Sequence, residues 1–330
     1  MPDAGGHARP PDSSGAAQRA RDGRDGRHRP AGAGRPPPGE RPAGGLGDAR
    51  VDRLTGVTTV MTGSRQHRPN HPGGPCPFCV GGTEAPEPYE VLAIPNRWPS
   101  FPDDRCEVVL YTAEHEAGLG GMAVDRVRSV VDLWADRTER LGARGDVDYV
   151  LVFENRGEEV GATISHPHGQ IYALDRVPDR PLGELRRSPR DQCPLCEPPD
   201  PALAVADAGG WRAWVPAASP YPYAVLLAPD VHRPDLPSLD GPQRDGLAEL
   251  LVEVVGRLDR LFDAPLPYML WIHQRPTDGG RWPQAHVHLH VVSPMRAPGV
   301  QRYVAAAELG SGLYVNPVVP EDAASALRGA

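Results

Sequence analysis

Apolar and polar positions along the chain fall into short alternating runs separated by turn-forming residues. The runs at 91–95 (VLAIP), 106–112 (CEVVLYT) and 148–155 (DYVLVFEN) predict strands. Val124, Val127, Val131, Trp134 and Leu141 recur at helical spacing and predict an amphipathic helix over 123–143. The run 162–174 (ATISHPHGQIYAL) predicts a further strand. The same order then recurs. Strands are expected at 211–216 and 223–229. A helix over 241–263 follows, marked by Leu247, Leu250, Leu251, Val254, Leu258 and Leu261, and strands at 268–274 and 285–292 come last. In the final run the alternation is strict, so His286, His288 and His290 share one face and Val or Leu the other.

Spacing strengthens the impression of an internal repeat. Cys79 and His115 are 36 residues apart, and so are Cys196 and His232. His115 precedes His166 by 51 residues, and His232 precedes His286 by 54. Each half carries C-x-x-C, a lone His after a strand, a helix, then H-x-H on a strand. Two fused copies of one α+β unit are expected, over 51–180 and 181–330. Residues 1–50 hold 19 Gly and Pro and no Val, Ile, Phe, Tyr or Trp. Such a segment buries too little apolar area to offset its ordering entropy, and a disordered tail is expected there.

Composition narrows the function. A formal charge of −8 excludes nucleic-acid binding through bulk charge. The chain has no lysine, which excludes Schiff-base and lysine-nucleophile chemistry. No apolar run approaches the roughly 20 residues of a membrane span. The first residues lack the apolar core of a signal peptide, so the cytoplasm is the expected compartment. Of five cysteines, four form the pairs CPFC (Cys76, Cys79) and CPLC (Cys193, Cys196), which in a cytosolic protein suggest metal or redox chemistry. Cys106 has no sequence partner and is expected in the core.

Zinc prefers four thiolate or imidazole ligands in a tetrahedron. The first half offers Cys76, Cys79, His115 and His166; the second offers Cys193, Cys196, His232 and His286. Two C-x-x-C pairs with matched downstream histidines are a specific signal. On a strand, His166, His168 and Gln170 line one face. With His166 on metal, His168 is the natural nucleophile: a neutral imidazole can attack phosphorus and hold a covalent nucleotidyl group. Gln170 can donate a hydrogen bond to a developing phosphate oxyanion.

The stretch FENRG (153–157), the 11-residue step from Asn155 to His166, and HPHGQ (166–170) together resemble the galactose-1-phosphate uridylyltransferase family of the histidine-triad superfamily. RLTG (53–56), SRQHRP (64–69), CPFC, AHVHLHVVSP (285–294) and VQRYVAAAE (300–308) resemble further segments of that family, and the likeness covers 51–320. It implies two histidine-triad-like units sharing one extended antiparallel sheet, and a homodimer. It also implies that His168 is the uridylylated nucleophile and that Gln170 bonds the transferred phosphoryl group. Asn155, Gly161 and Thr163 would line the phosphate site, Thr163 standing where the family often has Ser. Arg65 and Arg68 would approach the nucleotide, Asn96 the uracil-ribose pocket, and Arg302 and Glu308 the hexose and its phosphate. Arg302 stands where the family usually has Lys.

The resemblance also offers an alternative for the second metal. Family members with iron in that half hold it through a Glu and three His, and Glu184, His273, His288 and His290 occupy comparable positions. The CPLC pair resembles the two-zinc branch that includes ADP-glucose phosphorylase-like proteins, and zinc on Cys193, Cys196, His232 and His286 is the favoured expectation. His288 is an alternative catalytic residue, being the middle His of the histidine-triad pattern. The implied reaction is transfer of UMP from UDP-glucose to galactose 1-phosphate. A nucleotide-sugar or dinucleoside-polyphosphate phosphorylase and a non-catalytic, zinc-stabilised nucleotide-binding protein are the rivals.

Overall fold

The computed structural model describes residues 47–67, 74–102, 104–188 and 193–330. A hairpin opens them: β1 (Asp48–Val51) pairs with β2 (Thr58–Met61). Order therefore begins before residue 51, because Arg50 is held to Asp48 and the turn is closed by Asp52, which accepts from the backbone of Leu54 and Thr55. Residues 1–46, which hold most of the expected tail, lie outside the described residues.

The strands β3 (Leu92–Pro95), β4 (Cys106–Leu110), β5 (Tyr149–Arg156) and β6 (His168–Leu174) enclose the helix α1 (Val124–Gly142) in sequence. The short helix α2 (Asp179–Arg187) follows. The strands β7 (Ala204–Ala208), β8 (Trp211–Trp214) and β9 (Tyr223–Pro229), the helix α3 (Gly241–Leu261), and β10 (Tyr268–His273) and β11 (His288–Ser293) repeat the order. A ribbon of β12 (Met295–Ala297) and β13 (Val300–Gln301) and the helices α4 (Ala306–Ser311) and α5 (Pro320–Gly329) complete the chain.

Nine strands form one sheet in the order β3-β4-β6-β5-β10-β11-β9-β8-β7, every neighbouring pair antiparallel. Read outward from its centre, one side runs β5, β6, β4, β3 and the other β10, β11, β9, β8. The expected duplication is thus present in the sheet itself. Pairing of β5 with β10, Asn155 opposite Met269 and Phe153 opposite Trp271, joins the two copies. One face of the sheet is apolar: Val150, Val152, Ile171, Ala173, Leu270, Ile272, Leu289 and Val291 pack in one core with Val127, Val131 and Trp134 of α1 and Leu247, Leu251 and Val254 of α3. The period of two then sends His168, Gln170, His273, His288 and His290 to the opposite face.

Local chemistry sets the helix starts. Asp240 caps α3 by accepting from Gln243 N at 3.0 Å, and Gln243 Oε1 accepts from Asp240 N at 3.1 Å. Pro242 fits the first turn, where its missing N–H costs nothing. Strand β6 begins at His168 and not at 162 as the alternation predicted, because Pro167 has no N–H to give the ladder. Strand β11 likewise begins at His288. His166 and His286 stand just before their strands, buried but outside the ladders. Among the described residues, no helix is long and apolar enough to cross a membrane.

Helix α3 touches the β7–β8 turn backbone to backbone. A Cβ on Gly246 would collide with the Gly209 carbonyl oxygen and fall 2.8 Å from the Gly209 carbonyl carbon and Cα. Alanine in a helix gains about 1 kcal/mol in propensity over glycine, but overpacking against backbone costs roughly 1–3 kcal/mol. Gly246→Ala is therefore expected to lower the midpoint of thermal unfolding followed by circular dichroism, whereas Gly310→Ala, in open space on α4, leaves it unchanged or raises it. A Gly246→Ala protein as stable as the parent contradicts this packing.

Candidate active site and metal centres

The site begins with His166. Its Nε2 donates to the Thr112 carbonyl at 2.8 Å, with the Tyr89 hydroxyl 2.9 Å away. That hydroxyl also donates towards the Phe78 carbonyl at 2.6 Å, and burial raises its pKa to about 12, so it is a firm donor. With Nε2 so engaged, Nδ1 of His166 faces the Cys79 sulfur at 3.7 Å, and Nδ1 of His115 faces it at 3.4 Å. The donor atoms of Cys76, Cys79, His115 and His166 all lie within 4.8 Å of one another. Zinc–sulfur and zinc–nitrogen bonds of about 2.3 and 2.0 Å at a tetrahedral angle would set S and N about 3.5 Å apart. The donor set fits such an ion.

The second half repeats the arrangement. Cys193 Sγ lies 3.3 Å and Cys196 Sγ 3.6 Å from His286 Nδ1, and Cys196 Sγ lies 3.4 Å from His232 Nδ1. Burial lowers His286 to about 4 and raises Cys196 to about 11, so imidazole and thiol are both neutral at pH 7 until an ion displaces the thiol protons. A third set, Glu184, His273, His288 and His290, also converges within 4.8 Å. Glu184 Oε2 accepts from His273 Nδ1 at 2.6 Å and stands 3.5 Å from His288 Nε2. Burial alone would raise this carboxyl, yet the two histidines hold it below the usual carboxylate range.

His168 follows from the fixing of His166. Its Nδ1 lies 2.8 Å from the His166 carbonyl, so the proton sits on Nδ1 and the lone pair on Nε2. Phe78, between the cysteines of CPFC, braces the ring at a centroid distance of 5.1 Å. Gln170 Oε1 accepts from Asn96 Nδ2 at 3.2 Å, which leaves the Gln170 amide nitrogen as the donor end. A cavity of about 780 Å³ opens at His168 and is also lined by Asn155, Thr163, His115 and Arg156. Gly161 closes the turn before Thr163 with φ +85°, a conformation that favours glycine. An imidazole nucleophile and the Asn155 amide at an open cavity, with Gln170 on the same strand face, are what attack on a phosphoryl group requires.

Two family models, two relatives and one solved structure point the same way. The model for the galactose-1-phosphate uridyl transferase N-terminal domain matches residues 100–178, and that for its C-terminal domain matches 202–328. A galactose-1-phosphate uridylyltransferase of Thermotoga maritima is 34% identical over 310 residues, covering 85% of this chain and 98% of that protein. The chain belongs to the galactose-1-phosphate uridylyltransferase family. A solved uridylyltransferase superposes with a TM-score of 0.77 at 28% identity, over 85% of this chain and 97% of that one. An ADP-glucose phosphorylase of Arabidopsis thaliana is 25% identical over 85% of this chain and 92% of its own length.

Not every residue carried over from this uridylyltransferase family reaches the cavity. Arg65 is tied to the Ser100 hydroxyl, which bonds the Tyr172 hydroxyl at 2.9 Å, on the sheet face of Gln170 but beyond it. Arg68 lies outside the described residues. Arg302 and Glu308 are buried and paired with each other; Glu308 also accepts from Ala305 N at 2.7 Å and Val315 N at 2.8 Å, capping α4. Neither lines the cavity, although Gln301 Nε2 donates to the Glu159 carbonyl at its rim, 3.3 Å away. Sequence reasoning assigned no role to Phe78, Tyr89 or Glu154. The first two carry a signal, the aromatic inside CPFC and the aromatic just after it; Glu154 hides inside FENRG.

Glu154 lies on the helix face, behind the nucleophile strand. It is buried and accepts from the Tyr268 hydroxyl at 2.7 Å. Tyr111 stands beside it, its ring against the space where a Gly169 Cβ would go. Burial pushes the Glu154 carboxyl from 4.5 to about 7. A carboxyl raised on folding favours the folded state fully below pH 4.5 and loses that contribution as pH rises through about 7. The loss is on the order of 3 kcal/mol for such a shift. In Glu154→Gln, the fall of the unfolding midpoint between pH 4.5 and 7 should be shallower than in the parent, by differential scanning fluorimetry. Parallel curves would refute the assignment.

Proposed function

We propose that the chain transfers UMP from UDP-glucose to galactose 1-phosphate through a uridylyl-His168 intermediate. The observation that carries this reading is the contact of His168 Nδ1 with the His166 carbonyl, which assigns the proton to Nδ1, at a cavity shared with Asn155 and Thr163. Nε2 attacks the α-phosphorus; an N–P bond forms as the bond to the bridging oxygen breaks, and glucose 1-phosphate leaves. The phosphate oxygen of galactose 1-phosphate then attacks the same phosphorus, and the N–P bond breaks to give UDP-galactose. Each leaving group is a good one, so positioning and charge stabilisation carry the catalysis. Gln170 and Asn155 supply N–H donors to the non-bridging oxygens.

Zinc is the ion best suited to both Cys₂His₂ sets, and its part is structural: it holds His166 and thereby the carbonyl that orients His168. The halves 51–180 and 181–330 are proposed as a catalytic unit and its diverged copy. A cytoplasmic homodimer is part of the same reading. Among the described cavity residues the guanidinium is Arg156, already paired with Asp259, while Glu116, Glu158 and Glu159 add negative charge. A diphosphate needs more cation than this. Arg65 is the candidate, reaching a neighbouring cavity across an interface flanked by the exposed Tyr303, Leu309 and Leu313. The second Cys₂His₂ set favours one rival, adenylyl transfer from ADP-glucose to inorganic phosphate, because the resemblance ties that set to the ADP-glucose phosphorylase branch.

Incubation with UDP-glucose or ADP-glucose, each labelled at the α-phosphorus, separates the two. UDP-glucose should leave acid-labile label on the chain, discharged faster by galactose 1-phosphate than by inorganic phosphate. His168→Asn should take up none while retaining its fold and zinc. Label from ADP-glucose alone would replace the proposal with the phosphorylase, and label on His168→Asn would move the nucleophile elsewhere.

A further inference from the structure

HPHGQ places a glycine between His168 and Gln170, and the room it leaves is filled from behind. A Cβ on Gly169 would collide with the Tyr111 hydroxyl and stand 3.0 Å from Tyr111 Cζ and 3.1 Å from the Phe153 carbonyl oxygen. Tyr111 directly follows β4, where Leu110 pairs with His168 and Val109 with Gly169. Its N–H donates to the Pro167 carbonyl at 3.2 Å, while its buried side chain passes behind β6 towards Glu154 of β5. Glu154 Oε1 in turn accepts from the Tyr268 hydroxyl of β10 at 2.7 Å. We infer, on the transfer reading above, that Tyr111 and Glu154 are positioning residues: together they form a strut across the helix face of the sheet that fixes the spacing of His168, Gln170 and Asn155 on the other face.

Three observations carry this. First, both ends of the strut are tied. Tyr111 meets Trp134 of α1 edge-on, with ring centres 5.8 Å apart. At the other end the Arg156 guanidinium lies 4.5 Å from the Tyr268 ring centre and donates to Asp259 of α3 at 3.0 Å. Second, each contact adjoins a site residue. Gly169 separates His168 from Gln170, and Glu154 precedes Asn155, so a shift behind the sheet reaches the cavity through one peptide unit. Third, this layer is polar where packing alone needs only apolar atoms. The Tyr111 hydroxyl, Glu154 Oε2 and Trp134 Nε1 are buried with no hydrogen-bond partner among the described residues. Such groups cost free energy, and replacing facing partners by apolar groups of the same shape is close to neutral or stabilising.

The chemistry of the strut follows from burial. Tyr268, Tyr111, Arg156 and Asp259 are the titratable groups that face Glu154, and desolvation outweighs them, raising its carboxyl to about 7. The neutral acid accepts from Tyr268 on Oε1 and has a proton on Oε2 to give to the Tyr111 oxygen. Glutamine keeps both capacities, and leucine keeps neither. Misplacing a reacting group by about 1 Å costs on the order of 100-fold in rate, so a small shift of β6 suffices.

Single-turnover labelling of the full chain tests this, with UDP-glucose and ADP-glucose each labelled at the α-phosphorus and rapid alkaline quenching. The amplitude counts competent chains, the rate constant reports positioning, and its concentration dependence gives the half-saturating concentration. Tyr111→Phe should lower the saturating rate constant about tenfold and Glu154→Leu about 100-fold, with half-saturation unchanged. Glu154→Gln should recover most of that loss. A purely structural role lowers the amplitude or the unfolding midpoint and leaves the rate constant at the parental value, which overturns the inference. A Glu154→Gln chain as slow as Glu154→Leu overturns it too, as does a loss confined to half-saturation. A parent that takes label from neither sugar overturns the transfer reading itself, and the inference with it.

Discussion

The position of one imidazole governs the candidate site. His166 is held on both nitrogens, Nε2 by the Thr112 carbonyl and Nδ1 by the sulfur-rich cluster of CPFC. Because Pro167 keeps His166 off the ladder, its backbone carbonyl is available to His168, and that bond chooses the nucleophile's tautomer. The period of two along β6 then fixes Gln170 on the same face, and pairing with β5 brings Asn155 alongside. A substitution that loosens the metal cluster would therefore act on chemistry through the backbone, without touching substrate.

Duplication explains what surrounds this core. His288 bonds the His286 carbonyl as His168 bonds that of His166, both at 2.8 Å, and the cysteine clusters match. The copies diverge two residues on, where Gln170 answers to His290. They diverge again in what covers the strand. The first half leaves a cavity of about 780 Å³ at its histidine; the second leaves about 30 Å³, because α2 brings Pro181, Glu184 and Leu185 over it. One unit has kept room for a substrate, and the other has closed over its histidines. The helices α1 and α3 pack on the opposite face, tied by Arg244 to Asp132, and leave the site face free of the main core.

Much of this was legible in the sequence because it depends on local periodicity. The alternations at 106–112, 148–155 and 268–274, the two long helices and both cysteine sets appear where the residues placed them. What was not legible depends on longer-range packing. The hairpin at 48–61 is mostly exposed and polar, so no apolar alternation announces it. Helix α2 is short and rich in arginine, so no apolar periodicity announces it, although the resemblance does offer its Glu184 as a metal ligand. The pairing of Arg302 with Glu308 reflects an ion pair and a helix cap formed together, which residue types alone do not disclose. Glu154 draws its raised pKa from burial behind β6, and a sequence motif carries no burial.

The central claim is that a covalent histidine intermediate splits the transfer into two independent halves. Exchange of labelled glucose 1-phosphate into UDP-glucose, followed by chromatography with no galactose 1-phosphate present, tests it most directly. The account predicts exchange at a rate comparable to turnover, abolished in His168→Asn. Exchange that appears only when galactose 1-phosphate is added would mean direct transfer between two bound substrates, and would contradict the role given to His168.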